Sequence, residues 1–409
     1  MVERFLGVEE VASSNLVVPT ILHIRLSIFR RSFFVGGFMK KTGLYIHIPF
    51  CEKKCHYCDF YSITDKKYAD AYIDALSKEI EKTDEEIFSV YIGGGSPSIL
   101  TNSEITRIFD ALKKINLSKC EEISIEANPS QITPQKLECW LNLGIGRISV
   151  GAQSFNDKLL KHAGRIHTAK QAQDCINLAK KAGFKNISLD LMYGLPFETL
   201  SDLKADIEKA VSLSPTHISA YSLMLEENTP LIKLLNEKKL ALPSDEPVEE
   251  MYDAVNEILP KYGYKRYEVS NFAKAGYECK HNLIYWSDDE YIGVGASAAS
   301  FTGGVRYKND CSVEEYIQKI NNNLKTAAIE ERTREDAIFE YIFLAFRKAE
   351  GLNIEDFQNK FGMDFERVYE KELAELKNLN LLFKQNNQIR LTEKGFKLSN
   401  SVFEKFILQ

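Results

Sequence analysis

The amino-acid sequence predicts an α/β fold built on a parallel sheet, and three observations lead to that prediction. Short runs rich in β-branched and aromatic residues recur six times from residue 43 onward. Each run is followed by a glycine or polar break, and each break leads into an amphipathic stretch with helical spacing. Consecutive strand and helix units indicate parallel strands. The pattern leaves open whether the sheet is an open doubly wound sheet or a partial barrel.

The six predicted strands follow one another in the first half of the chain. In order they are LYIHI from Leu44, SVYIGGG from Ser89, EISIEANP from Glu122, RISVGAQSF from Arg147, NISLDLMYGLP from Asn186 and HISAYSLM from His217. A helix is predicted after the first strand because large apolar residues recur there at four-residue spacing, which places them on one face. These residues are Tyr68, Tyr72, Leu76 and Ile80. Later helices are predicted to end at glycine turns such as KKAGFKN.

Composition and charge limit the classes of partner. The chain of 409 residues is 44% apolar and 27% charged, which is typical of a globular protein. Its net charge of −6 gives no electrostatic case for nucleic acid or for an anionic membrane surface. The sequence therefore predicts no nucleic-acid partner, no stable membrane insertion and a cytoplasmic location.

Residues 1–38 differ from the rest of the chain. The stretch NLVVPTILHIRLSIFRRSFFVGGF is apolar, but three arginines interrupt it, which argues against a membrane span or a signal-peptide core. Three glutamates near the terminus count against an organelle presequence. Met39, followed by two lysines, makes a natural start. We therefore expect residues 1–38 to be an over-extended, disordered start, followed by a core over 39–245 and a C-terminal region over 246–409.

The cysteine motif CEKKCHYC carries the strongest chemical signal. Cys51, Cys55 and Cys58 fall within eight positions, whereas a tetrahedral metal site or a fully thiolate-ligated cluster needs four ligands. Three thiolates on a cubane iron-sulfur cluster leave one iron open for another ligand. The alternative is a zinc knuckle that uses His47 or His56 as its fourth ligand. Five further cysteines lack metal-ligand spacing and are expected to be reduced thiols: Cys120, Cys139, Cys175, Cys279 and Cys311.

Conspicuous polar and glycine residues come directly after the predicted strands. They are the cysteines after the first strand, Gly93 to Ser96 after the second, Glu126 at the end of the third, Gln153 after the fourth and Asp190 at the end of the fifth. The carboxyl ends of parallel strands meet at one edge of the sheet, where binding sites assemble. These residues are therefore expected to line one cavity.

The order and content of these motifs resemble a known superfamily. The cysteine spacing, with the aromatic Tyr57 before the last cysteine, is similar to that of the radical S-adenosylmethionine proteins. YIHIPFC, GGGSPS, EANP, SVGAQSF, GRIHT and DLMYGLP narrow the resemblance to the group of oxygen-independent coproporphyrinogen III dehydrogenase and HemW-type haem chaperones. The match runs from about residue 43 to the C-terminus. It implies a partial (β/α)6 barrel similar to a TIM barrel.

The resemblance also implies cofactors and their ligands. Cys51, Cys55 and Cys58 would hold a [4Fe-4S] cluster, and S-adenosylmethionine would bind its open iron. Tyr45 and Tyr57 match family positions close to the nucleotide, and Gly94, Gly95 and Ser96 match positions that line its methionine part. Glu126 would accept from the methionine ammonium, and Arg165 would pair with its carboxylate. Gln153 and Asp190 would hold the ribose hydroxyls. One electron from the reduced cluster would then produce a 5′-deoxyadenosyl radical. No catalytic protein residue is assigned.

Two departures from the dehydrogenase favour the chaperone type. The dehydrogenase has a fourth cysteine two positions after the third, where this chain has Phe60, and nothing in MKKTGLYIHIPF corresponds to its longer N-terminal arm. ECKHNLIYW also resembles an element associated with haem binding in the HemW type. The matching residues are His281, Asn282, Tyr285 and Trp286, and Cys279 is an additional candidate. Imidazole is a common axial haem ligand, although packing within a core is the alternative role.

The region after residue 246 changes character. Helical patterns are followed by the hairpin-like LLFKQNNQIRLTEKG, an order that resembles a winged helix. Its presumed recognition stretch, DFERVYEKELAELKNL, mixes acidic and basic residues, which suits DNA poorly. A lid or a partner-docking region is favoured over a DNA-binding module.

Together these features predict a haem-binding chaperone that delivers haem to respiratory haem proteins. The alternative from another class is an enzyme that converts coproporphyrinogen III to protoporphyrinogen IX. A third reading is a radical enzyme with an unidentified substrate. The sequence leaves open the haem acceptor, the mode of haem attachment, the use of radical chemistry and the oligomeric state.

Overall fold

The structure of the chain is a computed structural model. It describes residues 41–309, 311–324, 328–330 and 332–407. The expectation for residues 1–38 lies outside these described residues. No helix in the described ranges is long and apolar enough to cross a membrane.

Strands and helices alternate through the first half of the chain, as predicted. They are β1 (Thr42–Ile48), α1 (Ala69–Ile80), β2 (Ser89–Gly94), α2 (Asn102–Leu112), β3 (Glu122–Ala127), α3 (Pro134–Asn142), β4 (Arg147–Gln153), α4 (Asp157–His162), α5 (Ala169–Ala182), β5 (Asn186–Tyr193), α6 (Leu200–Ser212) and β6 (His217–Ser222). All six predicted strands are present. Tyr72, Leu76 and Ile80 are buried on α1, and Tyr68 precedes its first residue. Helix α5 ends at Gly183 in the left-handed conformation, as the KKAGFKN turn predicts.

The second half begins with elements that extend the sheet. They are α7 (Pro230–Asn236), α8 (Asp245–Lys261), β7 (Lys265–Arg266), β8 (Asn271–Ala273), α9 (Lys280–Trp286), β9 (Glu290–Val294), β10 (Ala299–Thr302), β11 (Val305–Lys308), α10 (Val313–Asn321) and β12 (Ala328–Glu330). Helix α8 lies at the predicted boundary near residue 246. Its Met251, Val255 and Leu259 are buried in the same apolar core as the helices of the first half.

The C-terminal region is helical with a small sheet. Its elements are α11 (Arg334–Arg347), β13 (Leu352–Asn353), α12 (Ile354–Phe361), α13 (Phe365–Val368), α14 (Glu370–Asn378), β14 (Leu382–Gln385), β15 (Gln388–Leu391), α15 (Glu393–Lys397) and α16 (Ser399–Glu404). Strands β14 and β15 form the predicted hairpin, and β13 pairs antiparallel with β15. Strand β13 precedes helices α12 to α14 and the hairpin follows them, an order that matches the predicted winged-helix-like end.

The main sheet contains twelve strands and is not closed into a full barrel. Its order is β12-β11-β10-β9-β1-β2-β3-β4-β5-β6-β8-β7. Strand β9 pairs parallel with β1, and β1 through β6 pair parallel in sequence. Beyond β9 and β6 the neighbouring strands are antiparallel. The architecture is therefore a partial barrel, with a seventh parallel strand, β9, that the sequence pattern did not reveal.

The alternation of side chains along the strands separates an apolar face from a polar one. On β1, Leu44, Ile46 and Ile48 pack into the large apolar core beneath the helices. Tyr45 and His47 point to the opposite face, because neighbouring residues of a strand alternate sides. The helices cover the apolar face of the sheet and keep it from water. The opposite, inner face can therefore carry polar side chains. A second apolar core lies in the C-terminal region.

Candidate functional site

The three cysteines lie in the loop between β1 and α1. The loop is held at its base, since the Cys51 N–H donates to the Ile63 carbonyl at 2.9 Å. The Cys58 N–H donates to the Cys55 carbonyl at 3.4 Å, which turns the loop back on itself. All three residues are partly exposed. In the described ranges, no three His, Cys, Asp or Glu side chains are already gathered in metal-binding geometry, these cysteines included.

Burial disfavours the thiolate form of two of the three cysteines. Burial, with a further contribution from neighbouring Cys55, raises the pKa of the Cys58 thiol to about 12. Burial also raises the pKa of Cys51. A metal ion ligated at this position would favour the thiolates and offset both effects. Three thiols in one loop are the donor type that an iron-sulfur cluster takes, so the residues fit that group.

The two histidines considered as zinc ligands already have hydrogen-bond partners. The ring nitrogens of His47 contact the Tyr45 hydroxyl at 2.9 Å and the Tyr61 carbonyl at 3.0 Å. Burial lowers the pKa of His47 to about 4, so the ring is neutral at pH 7. His56 contacts the His162 carbonyl through Nδ1 at 2.9 Å. A zinc knuckle using His47 would break one of these bonds, so the geometry disfavours His47 as the fourth ligand, whereas His56 could offer only its Nε2.

The glycine loop after β2 packs directly against the cysteine loop. The Gly95 N–H donates to the Ile48 carbonyl at 2.8 Å, and the Ser96 N–H donates to the Phe50 carbonyl at 2.9 Å. A Cβ on Gly95 would lie 2.9 Å from the Ile48 oxygen and 3.1 Å from Cys51 Sγ. Gly94 has a φ of 111°, and a Cβ there would lie 2.5 Å from the His47 ring. Glycine is required at Gly94 because of its positive φ and the His47 ring on β1, and at Gly95 because a side chain would push the two loops apart.

Charged and amide side chains gather beside these loops. Glu126 accepts a hydrogen bond from the Gly94 N–H at 3.3 Å and another from the Tyr91 hydroxyl at 3.0 Å. Arg165 donates to the Gly151 carbonyl at 2.8 Å, and its Nη1 lies 3.5 Å from Cys55 Sγ. The side chains of Arg165 and Gln153 meet above Gly151, where a Cβ would lie 3.4 Å and 3.1 Å from them.

Two polar atoms at this position are buried without a partner. The Oε1 of Gln153 and the Nε of Arg165 form no hydrogen bond with the described residues. Gln153 also has a φ of 65°, which is unusual for a residue with a side chain. Buried polar atoms in folded proteins are usually paired, so both atoms indicate a place for a polar ligand.

Asp190 is held by three serine hydroxyls. Ser149, Ser188 and Ser219 donate to its carboxylate at distances of 2.8 to 3.1 Å. Asp190 lies opposite Gly151 in the register of β4 and β5, so it is beside the Arg165 and Gln153 pair. Burial raises the pKa of Asp190 and the serine hydrogen bonds oppose that rise. The sequence analysis did not single out these serines, although each lies on the same inward face as the aspartate.

Most of the predicted nucleotide residues converge at the carboxyl edge of the sheet. Contacts there link Tyr45, Gly94, Gly95, Ser96, Glu126, Gln153, Arg165 and Asp190 with the loop that carries Tyr57. The glycine surface and the two unpartnered buried atoms suit a ligand with ammonium, carboxylate and hydroxyl groups. The residues therefore fit S-adenosylmethionine beside the cysteine loop.

The predicted haem residues lie at the opposite edge of the sheet. Helix α9 begins where β1, β2 and β3 start, and the Glu122 carboxylate accepts from the backbone N–H groups of Lys280 and His281. His281 is 0% exposed. Its Nδ1 lies 2.8 Å from the Ser89 hydroxyl and its Nε2 lies 2.9 Å from the Tyr285 hydroxyl. Burial lowers the pKa of His281 to about 3. Both ring nitrogens are engaged, so binding iron would require breaking a hydrogen bond.

Helix α9 joins the two apolar cores. Trp286 leaves the barrel and packs in the C-terminal core, where the Arg347 guanidinium lies 5.4 Å from the centre of its ring. Tyr285 packs instead with barrel residues such as Tyr291. Asn282 is buried and its Oδ1 has no hydrogen-bond partner among the described residues. The side chains of this motif therefore link the two apolar cores, and haem binding by them stays a prediction.

Glu198, in the turn after β5, is a buried acid near the same edge of the sheet as the cysteine loop. It is 4% exposed and accepts a hydrogen bond from the Leu195 N–H at 2.8 Å. Burial raises its pKa from an ordinary value of 4.5 to about 8. The folded protein therefore retains this proton across a range in which the unfolded chain has lost it.

This shift predicts a pH dependence of stability. A carboxyl whose pKa is raised on folding stabilises the fold below pH 4.5, and that contribution is lost as the pH rises toward about 8. The free energy of unfolding should fall between pH 5 and pH 8, and Glu198→Gln should flatten that fall. Urea titrations at several pH values measure it, with the exposed Glu208→Gln on α6 as a control. Parallel pH profiles for wild type and Glu198→Gln would contradict the assignment.

Comparison with known proteins agrees with this arrangement. Residues 45–210 match the model of the radical SAM superfamily, and residues 333–398 match that of the HemN C-terminal domain. The heme chaperone HemW of Lactococcus lactis is 40% identical, with 90% of this chain and 98% of the relative covered. The HemW of Bacillus subtilis is 38% identical, with 89% and 98% covered.

A solved structure shares the fold. Coproporphyrinogen III oxidase (HemN) from Escherichia coli, described as a radical SAM enzyme, superimposes with a TM-score of 0.77 at 24% identity, and 90% of each chain is covered. At this identity the likeness supports the fold alone. The identity to the HemW relatives extends over nearly the whole chain. The chain therefore belongs to the radical SAM superfamily and, within it, to the HemW heme chaperone family.

Proposed function

We propose that the protein is a cytoplasmic haem-binding chaperone that delivers haem to respiratory haem proteins. It holds a [4Fe-4S] cluster through Cys51, Cys55 and Cys58 and binds S-adenosylmethionine at the adjoining edge of the sheet. When bound, the reduced cluster supplies the electron for cleavage of the sulfonium. Two relatives, 40% and 38% identical over nearly the full chain, carry the name heme chaperone, which supports the haem cargo.

The observation that carries the proposal is the contact between the glycine loop and the cysteine loop. A Cβ on Gly95 would meet Cys51 Sγ at 3.1 Å, so a ligand lying along Gly94 and Gly95 would be beside the cluster thiols. The backbone of this loop can approach a ligand closely because it carries no side chains. Glu126, which already accepts from Gly94, would receive the ligand's ammonium.

The remaining ligand groups have partners of matching charge. Arg165 would pair with the methionine carboxylate, a charge-assisted contact worth about 1.5 to 3 kcal/mol. Gln153 and Asp190 would hold the ribose hydroxyls, and the three serines would fix the aspartate for that task. Below them, Leu159, Met192, Leu195 and Tyr221 form an apolar cluster with Tyr57 that excludes water from this side.

Anaerobic reconstitution tests the proposal. The full chain, loaded with iron and sulfide, is titrated with haem and followed by the Soret band, with and without S-adenosylmethionine. In parallel it is incubated with reductant, S-adenosylmethionine and coproporphyrinogen III. We expect one haem bound per chain and no protoporphyrinogen IX. Turnover of coproporphyrinogen III would overturn the chaperone assignment in favour of a dehydrogenase, even though Phe60 stands where that enzyme has its fourth cysteine.

A further inference from the structure

The proposed function calls for an axial ligand to haem iron, imidazole is a common one, and the described histidines differ in their access to such a ligand. His281 is fully buried with both ring nitrogens engaged. Both nitrogens of His217 are engaged too, by Ser188 and Tyr267. His167 is 3% exposed and contacts the Ala152 carbonyl. None of these three rings can ligate a haem without a change in the fold around it.

Both ring nitrogens of His47 are engaged as well, and His56 is engaged through Nδ1. His162, the last residue of α4, differs from all of these because neither of its ring nitrogens has a partner among the described residues. It is partly exposed, and its ring makes no hydrogen bond with any described residue. Its Nδ1 is buried, which leaves Nε2 as the accessible nitrogen. The backbone around it is fixed, because its carbonyl accepts from His56 Nδ1 at 2.9 Å and the Ala163 carbonyl accepts from the His56 N–H at 3.0 Å. His56 lies between Cys55 and Cys58, so the imidazole stands beside the cysteine loop.

An exposed aromatic ring adjoins this imidazole. Phe197, in the turn after β5, is 50% exposed, and its ring centre lies 5.0 Å from that of His162. Its φ of 64° is in the left-handed region, where a residue with a side chain is strained. The Phe197 N–H donates to the Ala241 carbonyl at 3.0 Å, which holds the turn in place. A strained backbone that presents a large apolar ring to solvent indicates that the ring contacts a ligand.

The charges near the imidazole suit the carboxylates of a porphyrin. Lys158 precedes His162 by one helical turn on α4, and Lys161 is its direct neighbour. Both lysines are exposed, and neither forms an ion pair with a described residue. Cationic side chains at the edge of a flat apolar surface are the complement of haem, whose two propionates lie along one edge of its ring.

Resting on the proposed function, we infer that haem binds at the mouth of the partial barrel with His162 as axial ligand. Phe197 covers part of one porphyrin face, and Lys158 and Lys161 pair with the propionates. The imidazole gives up no hydrogen bond with a described residue on ligation, unlike that of His281. Haem and the cluster thus share one mouth of the barrel, while α9 keeps its structural role at the other edge.

Haem titration of the reconstituted full chain tests this site. His162→Ala should raise the Kd for haem by about tenfold or more and change the spin state of the ferric iron. Added imidazole should restore the wild-type spectrum, a rescue that a merely structural role would not give. Phe197→Gly should weaken binding several-fold without loss of stability, since glycine relieves the strained φ. Lys181→Ala, an exposed lysine on α5, serves as the control.

The outcomes separate this inference from the proposed function. If wild type binds haem and His162→Ala binds it with the same affinity and spectrum, the site is wrong and the chaperone function stands. If wild type itself takes up no haem, the proposed function fails and the inference fails with it. Loss of axial ligation in His162→Ala but not in Lys181→Ala supports the site.

Discussion

Cys55→Ser is expected to leave the reconstituted chain without a stable [4Fe-4S] cluster. A cubane anchored by three thiolates has no redundant ligand, and a serine hydroxyl is a harder, more basic donor that iron-sulfur chemistry does not favour. Cys55 is the middle ligand, and Arg165 lies 3.5 Å from its sulfur, so the same change also removes a contact beside the proposed nucleotide site. Iron and sulfide content per chain and the Mössbauer spectrum measure the outcome. Wild type should carry about four irons per chain.

The matched control is Cys139→Ser on α3. Cys139 is a partly exposed thiol outside the cysteine loop, so its replacement should leave the iron content unchanged. Both variants carry the same chemical change, and a difference between them therefore isolates the position of the thiol. Full iron and sulfide content with an unchanged spectrum in Cys55→Ser would exclude the cysteine loop as the cluster site. Zinc in place of iron in the native protein would favour the alternative interpretation of the cysteine motif as a zinc knuckle.

The sequence predicted the strands because one face of each is uniformly apolar. Leu44, Ile46 and Ile48 on β1 are all buried beneath the helices, and local alternation is enough to reveal that. The convergence of Glu126 and Asp190 near the cysteine loop was also predictable, since parallel strands bring their carboxyl ends to one edge. Strand β9 was missed because its five residues are not followed by an amphipathic helix directly, so the repeated pattern does not include it.

The environment of α9 could not be predicted from local sequence. The partners of His281 are Ser89 and Glu122, which are 192 and 159 positions away in the chain. A histidine and an asparagine beside aromatic residues are compatible with a ligand site and with a packed joint, and the long-range contacts of the joint cannot be read from the local sequence. The left-handed backbone and the exposure of Phe197 could not be predicted from the local sequence either.

His281→Ala is expected to lower the free energy of unfolding by about 3 to 5 kcal/mol even when no haem is present. The change empties a fully buried site and leaves the Ser89 and Tyr285 hydroxyls without their partner, and each unsatisfied buried group costs about 1 to 3 kcal/mol. Tyr285→Phe should cost only about 1 kcal/mol, because it removes one hydrogen bond and keeps the ring. Urea denaturation of the anaerobic chain without haem measures both variants.

Lys280→Ala is the control within the same helix. Its side chain is 40% exposed and pairs with the exposed Glu121, so its loss should change the free energy of unfolding by less than about 1 kcal/mol. If His281→Ala is as stable as Lys280→Ala, the histidine does not hold the joint between the two cores, and its buried hydrogen bonds are not the reason for its place in α9. A large loss of stability without haem would instead mean that weaker haem uptake by this variant reports a damaged fold. Only His162→Ala, on a partly exposed ring without hydrogen-bond partners among the described residues, would then report on axial ligation itself.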